Sequence, residues 1–429
     1  MLEALGKRGG LWFGWSGEIN DRPDAPKLAR TGGITALTCD LSHADYEGYY
    51  AGFSNRSLWP LCHYRLDLAH FERDWYIAYR RVNQHLAEAL IEKLEPDDIV
   101  WVHDYHLLVF AEELRRLGAR NRIGLFFHIP FPAPELFVAL PQHGALARAM
   151  GDYDVLGFQT EIDADNFRAY LTREGIGRVR RDGRVTIGGR RVTIGVYPIG
   201  IDVETFREMA YSADAVRQAQ RLRRSVLGGH LIIGVDRLDY SKGIDERLRA
   251  FRSLLSNYPQ YHGKVTYVQI SAPSREEVKE YIEIRRQVEQ TAGRINGRYS
   301  QLDWVPLRYI NRSFSRRALA GFYRVARIGL VTPLRDGMNL VAKEFVAAQD
   351  EADPGVLVLS RFAGAAEGAD GALIVNPYDV EGTGDALYRG LAMPLDERQD
   401  RWRRLFAWAQ RDDVASWSDR FLNTLAEAG

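Results

Sequence analysis

Residues 332–345, TPLRDGMNLVAKEF, place polar groups between an apolar run, IGLV, and a helix-like run. Such a strand-to-helix turn presents the backbone N–H groups of a helix N-terminus, which attract an anion such as phosphate. Gly337 is expected to adopt a positive φ and to let the backbone approach a ligand. Asp336, Asn339 and Glu344 are expected to bond hydroxyl groups, with Glu344 placed to accept from a ribose. The competing interpretation is an ordinary Asp-Gly turn with helix capping.

A second polar turn, DRLDYSKG, carries two cations, Arg237 and Lys242. Arginine offers two parallel hydrogen bonds to a phosphate, and lysine offers a mobile point charge. The alternative is that both cations pair with neighbouring carboxylates, namely Asp236, Asp239 or Asp245. Together with the Asp-Gly turn, the two cations favour a diphosphate site that needs no metal.

The elements that position these turns alternate between strands and helices. Short apolar runs are typical of buried parallel strands, and they occupy residues 99–103, 123–129, 155–159, 192–199, 231–236, 265–271, 328–332, 356–360 and 372–377. Segments with helical periodicity lie between them, at 105–118, 208–228, 244–259 and 340–349. This alternation predicts an α/β fold with parallel sheets.

Nearly every predicted strand ends in a group that binds polar ligands. These residues are Asp104, His128, Gln159, Arg237, Lys242 and Arg275. Ligands of open parallel sheets bind beyond the carboxyl ends of the strands. One such residue is more often a cap, but a series of them across two sheets predicts a binding site.

Residues 49–68, YYAGFSNRSLWPLCHYRLDL, are predicted to form a loop because of their Ser-Asn-Arg and Pro content. Tyr50 and Trp59 within it are candidates for stacking on a sugar, and core packing is the alternative, above all for Trp59. His103, His106 and His128 also have the potential to gather, although scattered histidines are usually structural.

Composition sets outer limits on these interpretations. A chain of 429 residues with 46% hydrophobic residues indicates two or three domains with large cores. The formal net charge of zero gives no reason to expect nucleic acid or an anionic membrane as a partner. The two cysteines suit a reducing compartment, and no apolar stretch is long enough to cross a membrane. We therefore expect a cytoplasmic protein, and the absence of metal-binding motifs predicts no metal site.

A series of motifs resembles a known family. The motifs WFGWSG, YYAGFSNRSLWPLCHYR, WVHDYHLL, FFHIPFP, GFQT, YPIGID, DRLDYSKG, AGRINGRYSQLDW and TPLRDGMNLVAKEFVAAQ occur in this order. Together they are similar to the trehalose-6-phosphate synthase family, the retaining glycosyltransferases of family 20. The resemblance covers essentially the whole chain.

The resemblance implies a GT-B fold, in which two Rossmann-like parallel-sheet domains face a central cleft. We place an acceptor-binding domain at 1–205 and a nucleotide-sugar-binding domain at 206–396. The helical residues 397–429 are expected to pack back across the domains, with a plain terminal helix pair as the alternative. The linker near 205 is a candidate hinge for domain closure.

The implied activity is transfer of glucose from UDP-glucose to glucose 6-phosphate with retention, which gives α,α-trehalose 6-phosphate and UDP. No cofactor and no required metal are implied, and the partners are these two small molecules. Nothing in the residues separates UDP from ADP or GDP, although the family precedent favours UDP. The sequence also leaves open whether the protein is a homo-oligomer.

Carried over motif by motif, the resemblance assigns roles to individual residues. Arg237 and Lys242 would hold the diphosphate, Glu344 would bind the ribose, and His128 would contact the donor glucose. The remaining donor residues would be Asp336, Gly337, Met338, Asn339, Leu340 and Val341. The acceptor site would consist of Trp15, Tyr50, Trp59, Asp104, Gln159 and Arg275, with Arg275 near the acceptor phosphate. His128, Arg237, Lys242 and Asp336 are the candidate catalytic residues.

Family members carry a further strand, an Asn-Arg pair and a Gly-Gly loop upstream of WFGWSG. This sequence begins just before that motif, so we expect these parts to be absent and the activity to be weak. Two alternatives remain open: a pseudo-glycosyltransferase that couples cyclitols, and a non-catalytic protein that binds sugar phosphates. Intact Arg237, Lys242, Asp336 and Glu344 argue against the second.

Overall fold

The computed structural model describes residues 9–22, 25–31, 34–180, 184–226, 229–275 and 278–428. They form two compact units. The first unit comprises Met1–Pro198 together with Ala415–Gly429, and the second comprises Ile199–Val414. Each unit has its own parallel sheet, as the alternation of apolar runs and helical segments predicted.

The first unit contains a three-stranded and a six-stranded sheet. The smaller sheet has the order β1-β3-β2, with β1 Leu11–Ile19, β2 Lys27–Thr31 and β3 Ile34–Leu41. The larger sheet has the order β4-β5-β6-β9-β8-β7, with β4 Ile99–His103, β5 Arg122–Phe126, β6 Val155–Phe158, β7 Gly177–Val179, β8 Val185–Ile187 and β9 Arg190–Val196. Strands β4, β5, β6 and β9 run parallel, whereas β7, β8 and β9 pair antiparallel.

The α-helices of the first unit connect and cover these strands. They are His43–Asp45, Trp59–Cys62, Arg73–Ile91, Phe110–Arg116, Pro134–Phe137, His143–Ala149, Glu161–Arg173 and Val414–Glu427. The last of these approaches the large sheet closely at two strand glycines. A Cβ atom added to Gly124 or Gly157 would lie 2.8 Å and 2.7 Å, respectively, from the ring of Phe421.

The prediction of a loop at residues 49–68 is wrong. Tyr46–Leu58 form a π-helix, and Trp59–Cys62 continue it as an α-helical turn. The segment packs against helix Arg73–Ile91 so tightly that a Cβ atom added to Gly48 would lie 2.5 Å from Ala78. Pro60 has no N–H group to continue the helical hydrogen bonds, and the carbonyl of Arg56, four residues earlier, accepts instead from the N–H of His70 at 2.8 Å.

The helix predicted at 105–118 is also shorter than expected. Tyr105–Leu107 form a 3₁₀ turn, and the α-helix covers only Phe110–Arg116. The hydroxyl of Tyr79 accepts from the backbone N–H of Leu108 at 2.8 Å and donates to the carbonyl of Tyr105 at 2.8 Å. A buried side chain thereby replaces helical hydrogen bonds at the start of the segment.

The second unit has one six-stranded, fully parallel sheet of order β12-β11-β10-β13-β14-β15. Its strands are β10 His230–Arg237, β11 Val265–Ala272, β12 Leu307–Ile310, β13 Ile328–Val331, β14 Val356–Ser360 and β15 Leu373–Val375. From β10 the chain builds the sheet outward in one direction, and from β13 it builds outward in the other. Ligands of such sheets bind at this reversal, beyond the carboxyl ends of β10 and β13.

The α-helices of the second unit are Val203–Tyr211, Ala213–Ser225, Ile244–Asn257, Lys279–Tyr299, Arg316–Val325, Leu340–Ala348, Val380–Ala392 and Leu395–Arg411. The single helical run predicted at 208–228 is therefore wrong. Ser212 is extended, with φ −61° and ψ 151°, and its side chain accepts from the N–H of Ala215. Because Ser is a strong N-cap, it ends one helix and starts the next.

No helix in the described part of the chain is long and apolar enough to cross a membrane.

Candidate active site

The loop that follows β10 is shaped by a capping aspartate and a glycine. Asp239 accepts from the N–H of Ser241 at 2.9 Å, and Tyr240–Lys242 form a 3₁₀ turn. Gly243 has φ 63° and starts helix Ile244–Asn257. A Cβ atom added to Gly243 would lie 2.6 Å from the carbonyl oxygen of Thr332. The loops after β10 and β13 are therefore in direct backbone contact.

The ammonium of Lys242 meets the carboxylate of Asp336 across these two loops. The Nζ–Oδ2 distance is 2.5 Å, and the two side chains are 11% and 14% exposed. Asn339 Nδ2 donates to the same Asp336 oxygen at 3.0 Å. The structure therefore brings together three of the residues predicted to bind the donor.

Asn339 adopts the strained conformation that the sequence had assigned to Gly337. Its φ is 75° and its ψ is 85°, whereas Gly337 is not among the described residues with positive φ. The expectation for Gly337 is wrong because the left-handed residue sits directly at the N-cap of helix Leu340–Ala348. Asn tolerates this conformation better than most residues do. Its Oδ1 atom is buried and has no hydrogen-bond partner within the described chain.

Helix Leu340–Ala348 begins at this turn. Its first residues, Leu340 and Val341, are half-buried, while the side chain of Met338 is buried. The backbone holds the turn in place, because Leu334 N–H donates to the Ser241 carbonyl at 2.8 Å. The free N–H groups of a helix start and the Lys242 ammonium make this end of the sheet suited to a phosphate.

Glu344 lies one turn further along that helix. Burial raises the pKa of Glu344 to about 7, and the charge of Arg316 opposes this shift. A carboxyl group in this state changes its charge near neutral pH, so its ability to accept hydrogen bonds from hydroxyl groups depends on pH.

The two predicted arginines of this unit differ in environment. Arg237 is the exposed last residue of β10. Arg275 follows β11 with φ 48°; its guanidinium hydrogen-bonds the hydroxyl of Tyr281 and lies 3.7 Å from the carboxylate of Asp239. Asp239 also caps the loop after β10, so Arg275 is linked to the Lys242 turn through one carboxylate.

In the first unit, His103 and His128 lie at the carboxyl ends of neighbouring strands. His103 Nδ1 and His128 Nε2 are 3.1 Å apart. Burial lowers the pKa of His128 to about 4, and burial followed by the charge of His128 holds the pKa of His103 well below its usual range. The rings of Trp101 and Trp417 enclose the pair. The two histidines are therefore a neutral, hydrogen-bonded couple.

Trp15 and Tyr50, both predicted for the acceptor, belong to one aromatic group. Their ring centroids are 5.1 Å apart, and Tyr50 stacks on His106 at 5.6 Å and on Tyr46 at 5.6 Å. Tyr46 was not predicted, because its spacing from Tyr50 brings the two rings together only in a helix, and a loop was expected from residue 49 onward. The π-helix is what places both tyrosines on one side.

Of the other acceptor candidates, Gln159 and Trp59 are buried and Asp104 is half-buried. Asp104 has φ 71°, its N–H donates to the Phe126 carbonyl at 2.8 Å, and its side chain accepts from the N–H of Tyr105. Gln159 is buried, with its amide 3.5 Å from the carbonyl of His128. Trp59 is only 4% exposed and packs on His63 and Tyr105. This is the core packing that was the alternative to stacking on a sugar.

Metal ligands do not assemble within the described ranges, where no group of three or more His, Cys, Asp or Glu side chains is placed to hold an ion.

Comparison with known proteins identifies the family. The sequence model of glycosyltransferase family 20 matches residues 1–427. The chain belongs to this family. A trehalose-6-phosphate synthase of Sinorhizobium fredii is 51% identical over 426 residues, which cover 99% of this chain and 91% of the relative.

Solved structures of the family match both units. An alpha,alpha-trehalose-phosphate synthase (UDP-forming) from Burkholderia xenovorans, in complex with glucose-6-phosphate, is 46% identical with a TM-score of 0.97, covering 99% of this chain and 94% of that one. A structure from E. coli bound with UDP-2-fluoro glucose is 48% identical with a TM-score of 0.96, covering the same shares. The GT-B fold expected from the sequence is thereby confirmed.

Proposed function

We propose that the protein transfers glucose from UDP-glucose to glucose 6-phosphate with retention of configuration, producing α,α-trehalose 6-phosphate and UDP. The observation that carries the proposal is the group formed by Lys242, Asp336 and Asn339 at the reversal point of the second sheet. Family membership over residues 1–427 supports it, as do relatives in complex with glucose-6-phosphate and with UDP-2-fluoro glucose.

On the donor side, Lys242 and Arg237 would neutralise the diphosphate together with the start of helix Leu340–Ala348. Glu344 would accept from the ribose hydroxyls. Because Lys242 and Asp336 satisfy each other at 2.5 Å, the donor has to separate them. The ammonium would then turn to phosphate oxygens, and Asp336, with Asn339 beside it, would accept from the hydroxyls of the glucose.

The turn around Asn339 would shape the rest of the donor pocket. The backbone N–H groups at the start of helix Leu340–Ala348 would bind an anion there. The side chain of Met338 is buried, at 5% exposed, and its backbone carbonyl accepts from the N–H of Ala365 at 2.8 Å. The role of Met338 is therefore to hold the turn through its backbone.

On the acceptor side, the rings of Trp15 and Tyr50 offer apolar faces for a sugar, and Asp104 and Gln159 offer hydrogen bonds to its hydroxyls. Arg275 supplies a cation for the phosphate of glucose 6-phosphate. Trp59 would act behind these residues because its ring is buried. His128 would contact the donor glucose as a neutral imidazole, since its pKa of about 4 keeps it uncharged at neutral pH.

The reaction needs no protein base at the anomeric carbon. The bond between the anomeric carbon of glucose and the diphosphate oxygen breaks, and the acceptor hydroxyl attacks from the same face. The departing diphosphate oxygen takes the proton of that hydroxyl. Catalysis then consists of positioning and of stabilising the leaving diphosphate, which Lys242 and Arg237 would do by charge.

The test is to incubate the purified chain with UDP-glucose, with and without glucose 6-phosphate, and to measure UDP and the disaccharide phosphate. We expect UDP release that depends on glucose 6-phosphate and equals the amount of disaccharide. Parallel reactions with ADP-glucose and GDP-glucose measure the nucleotide preference. UDP-glucose binding without any UDP release would contradict the proposal and favour a non-catalytic sugar-phosphate-binding protein.

We also propose a cytoplasmic location. Cys39 and Cys62 are both buried, and two cysteines are too few for a disulfide framework, as suits a reducing compartment. Fractionation of cells that produce the tagged chain tests this. Light scattering of the purified chain determines whether it is a homo-oligomer.

A further inference from the structure

A fully buried arginine lies directly beneath the proposed donor site. Arg247 belongs to helix Ile244–Asn257, and its side chain is 0% exposed. Its guanidinium pairs with Asp236 at 2.5 Å, and that carboxylate is only 3% exposed. Burial raises the pKa of Asp236, and the charge of Arg247 opposes this rise. Removing two charges from water costs free energy that their attraction often only offsets. The pair is therefore expected to have a role other than stabilising the fold.

The guanidinium of Arg247 donates hydrogen bonds to several structural elements. Nη1 donates to Asp236 Oδ2 at 2.5 Å and to Gln269 Oε1 at 3.2 Å, which joins β10 to β11. Nε donates to Thr332 Oγ1 at 3.2 Å, directly after β13. Nη2 donates to the backbone carbonyl of Lys242 at 2.8 Å. One side chain therefore ties three neighbouring strands of the sheet to the turn that carries Lys242.

These contacts hold the two loops on which the proposed donor residues sit. Fixing the Lys242 carbonyl fixes the backbone from which the ammonium extends toward Asp336. Fixing Thr332 anchors the first residue of the loop that carries Asp336 and Asn339. The loops also meet where Leu334 N–H donates to the Ser241 carbonyl at 2.8 Å. A change at Arg247 would therefore reach both loops together.

The planar guanidinium suits this task better than any other side chain. It presents five donors in a rigid fork, so that one group donates to four acceptors in different directions. A lysine ammonium in the same place is a compact point charge and does not span Thr332, Asp236 and the Lys242 carbonyl at once.

We propose that Arg247 is a positioning residue for the nucleotide-sugar donor, which sets the Lys242 turn and the Asp336 loop in the geometry that receives the diphosphate. The inference rests on the proposed function for the identity of the donor. It acts through Lys242 and Asp336, so substitution should weaken donor binding and leave the affinity for the acceptor unchanged.

The test compares Arg247→Lys with Arg249→Lys. Arg249 lies on the same helix, is 47% exposed, and pairs with Asp245 at 2.5 Å, so it is a matched control for losing a guanidinium. We expect Arg247→Lys to raise the KM for UDP-glucose and the Kd for UDP about tenfold or more, as loss of a buried charged hydrogen bond does. The KM for glucose 6-phosphate should stay within twofold, and Arg249→Lys should match the unsubstituted chain.

A milder variant keeps the test decisive if Arg247→Lys fails to fold. Thr332→Val removes one acceptor and leaves the pair between Arg247 and Asp236 in place. It should raise the KM for UDP-glucose about threefold, in line with one weak hydrogen bond. An Arg247→Lys or Thr332→Val protein that folds and has the same donor KM and UDP Kd as Arg249→Lys overturns the proposal. So does a variant whose kcat falls at unchanged donor KM.

Amide hydrogen exchange separates this inference from the proposed function. Arg247→Lys should speed exchange in residues 239–243 and 332–339, and leave helix Val380–Ala392 unchanged. Unchanged exchange in the two loops overturns the positioning role whatever the substrate. Faster exchange there, in a protein whose unsubstituted form does not bind UDP, supports the positioning role and rejects the proposed donor.

Discussion

The pKa of Glu344 makes the affinity for the donor depend on pH in a way that can be calculated. Burial places this pKa at about 7. If the carboxylate is the form that accepts from the ribose, about one molecule in eleven is competent at pH 6 and about ten in eleven at pH 8. The Kd for UDP-glucose should therefore fall about tenfold between these two pH values, because the required form becomes dominant.

The assay is isothermal calorimetry with UDP-glucose in the absence of acceptor. Leaving out glucose 6-phosphate matters because a phosphate monoester itself titrates near pH 6. His128 does not contribute, since its pKa of about 4 lies below the range. Glu344→Gln should bind more weakly at pH 8 and show no pH dependence between 6 and 8. A flat profile for the unsubstituted chain, or an unchanged slope in Glu344→Gln, would refute the reasoning.

The same group affects stability, with a definite sign. Its pKa is higher in the folded chain than the ordinary value of about 4.5, so the folded state binds more protons between these two values. Its stabilising contribution is present at pH values below about 4.5 and is lost as the pH rises through about 7. Glu344→Gln should therefore raise the Tm more at pH 8 than at pH 5. Equal changes at both values would contradict this sign.

Four further substitutions test separate parts of the account. Lys242→Met removes the cation for the leaving diphosphate, and kcat/KM for UDP-glucose should fall about a hundredfold or more; a change below threefold would contradict its role. Tyr50→Ala removes the ring whose centroid lies 5.1 Å from that of Trp15 and should raise the KM for glucose 6-phosphate about tenfold, whereas the UDP-glucose Kd stays unchanged. Gly157→Ala would place Cβ 2.7 Å from the Phe421 ring and should lower the free energy of unfolding by about 1–3 kcal/mol. Gly293→Ala, in an open helical position with no heavy atom within 4 Å, should raise it by about 1 kcal/mol, and equal Tm shifts for the two glycine variants would refute the packing argument.

The parallel sheets were predictable because buried strands are short, apolar and separated by helical periods. Residues 356–360 were predicted as a strand and coincide with β14, Val356–Ser360. The reversal of strand order between β10 and β13 was not predictable from the sequence, since strand order depends on packing between distant segments. The polar residues at strand ends still indicated the edge of the sheet at which Lys242, Asp336 and Asn339 meet.

The π-helix at Tyr46–Leu58 shows where local residue preferences mislead. The Ser-Asn-Arg and Pro content of residues 49–68 favoured a loop, yet Gly48 and Gly52 are small because helix Arg73–Ile91 lies against them. Their role depends on a contact with a separate helix, which composition does not reveal. Tyr46 lies just before the predicted loop and was not among the predicted residues, because its alignment with Tyr50 follows from the helix.

The buried part of the site was the hardest to anticipate. Arg247 follows the cation-rich turn by only five residues, but its sequence position resembles that of any helical surface arginine. Its role becomes visible only when Asp236, Gln269 and Thr332 are seen to surround it. The couple between His103 and His128 likewise depends on adjacent parallel strands, and the sequence offered it only as one potential arrangement.

The most direct measurement of the central claim is a proton NMR analysis of the product formed from UDP-glucose and glucose 6-phosphate by the purified chain. The account predicts one disaccharide phosphate whose two anomeric centres are both α, formed in equal amount with UDP. It also predicts that Lys242→Met abolishes most of this signal. UDP and free glucose without disaccharide, or a product with a β anomeric centre, would contradict the account.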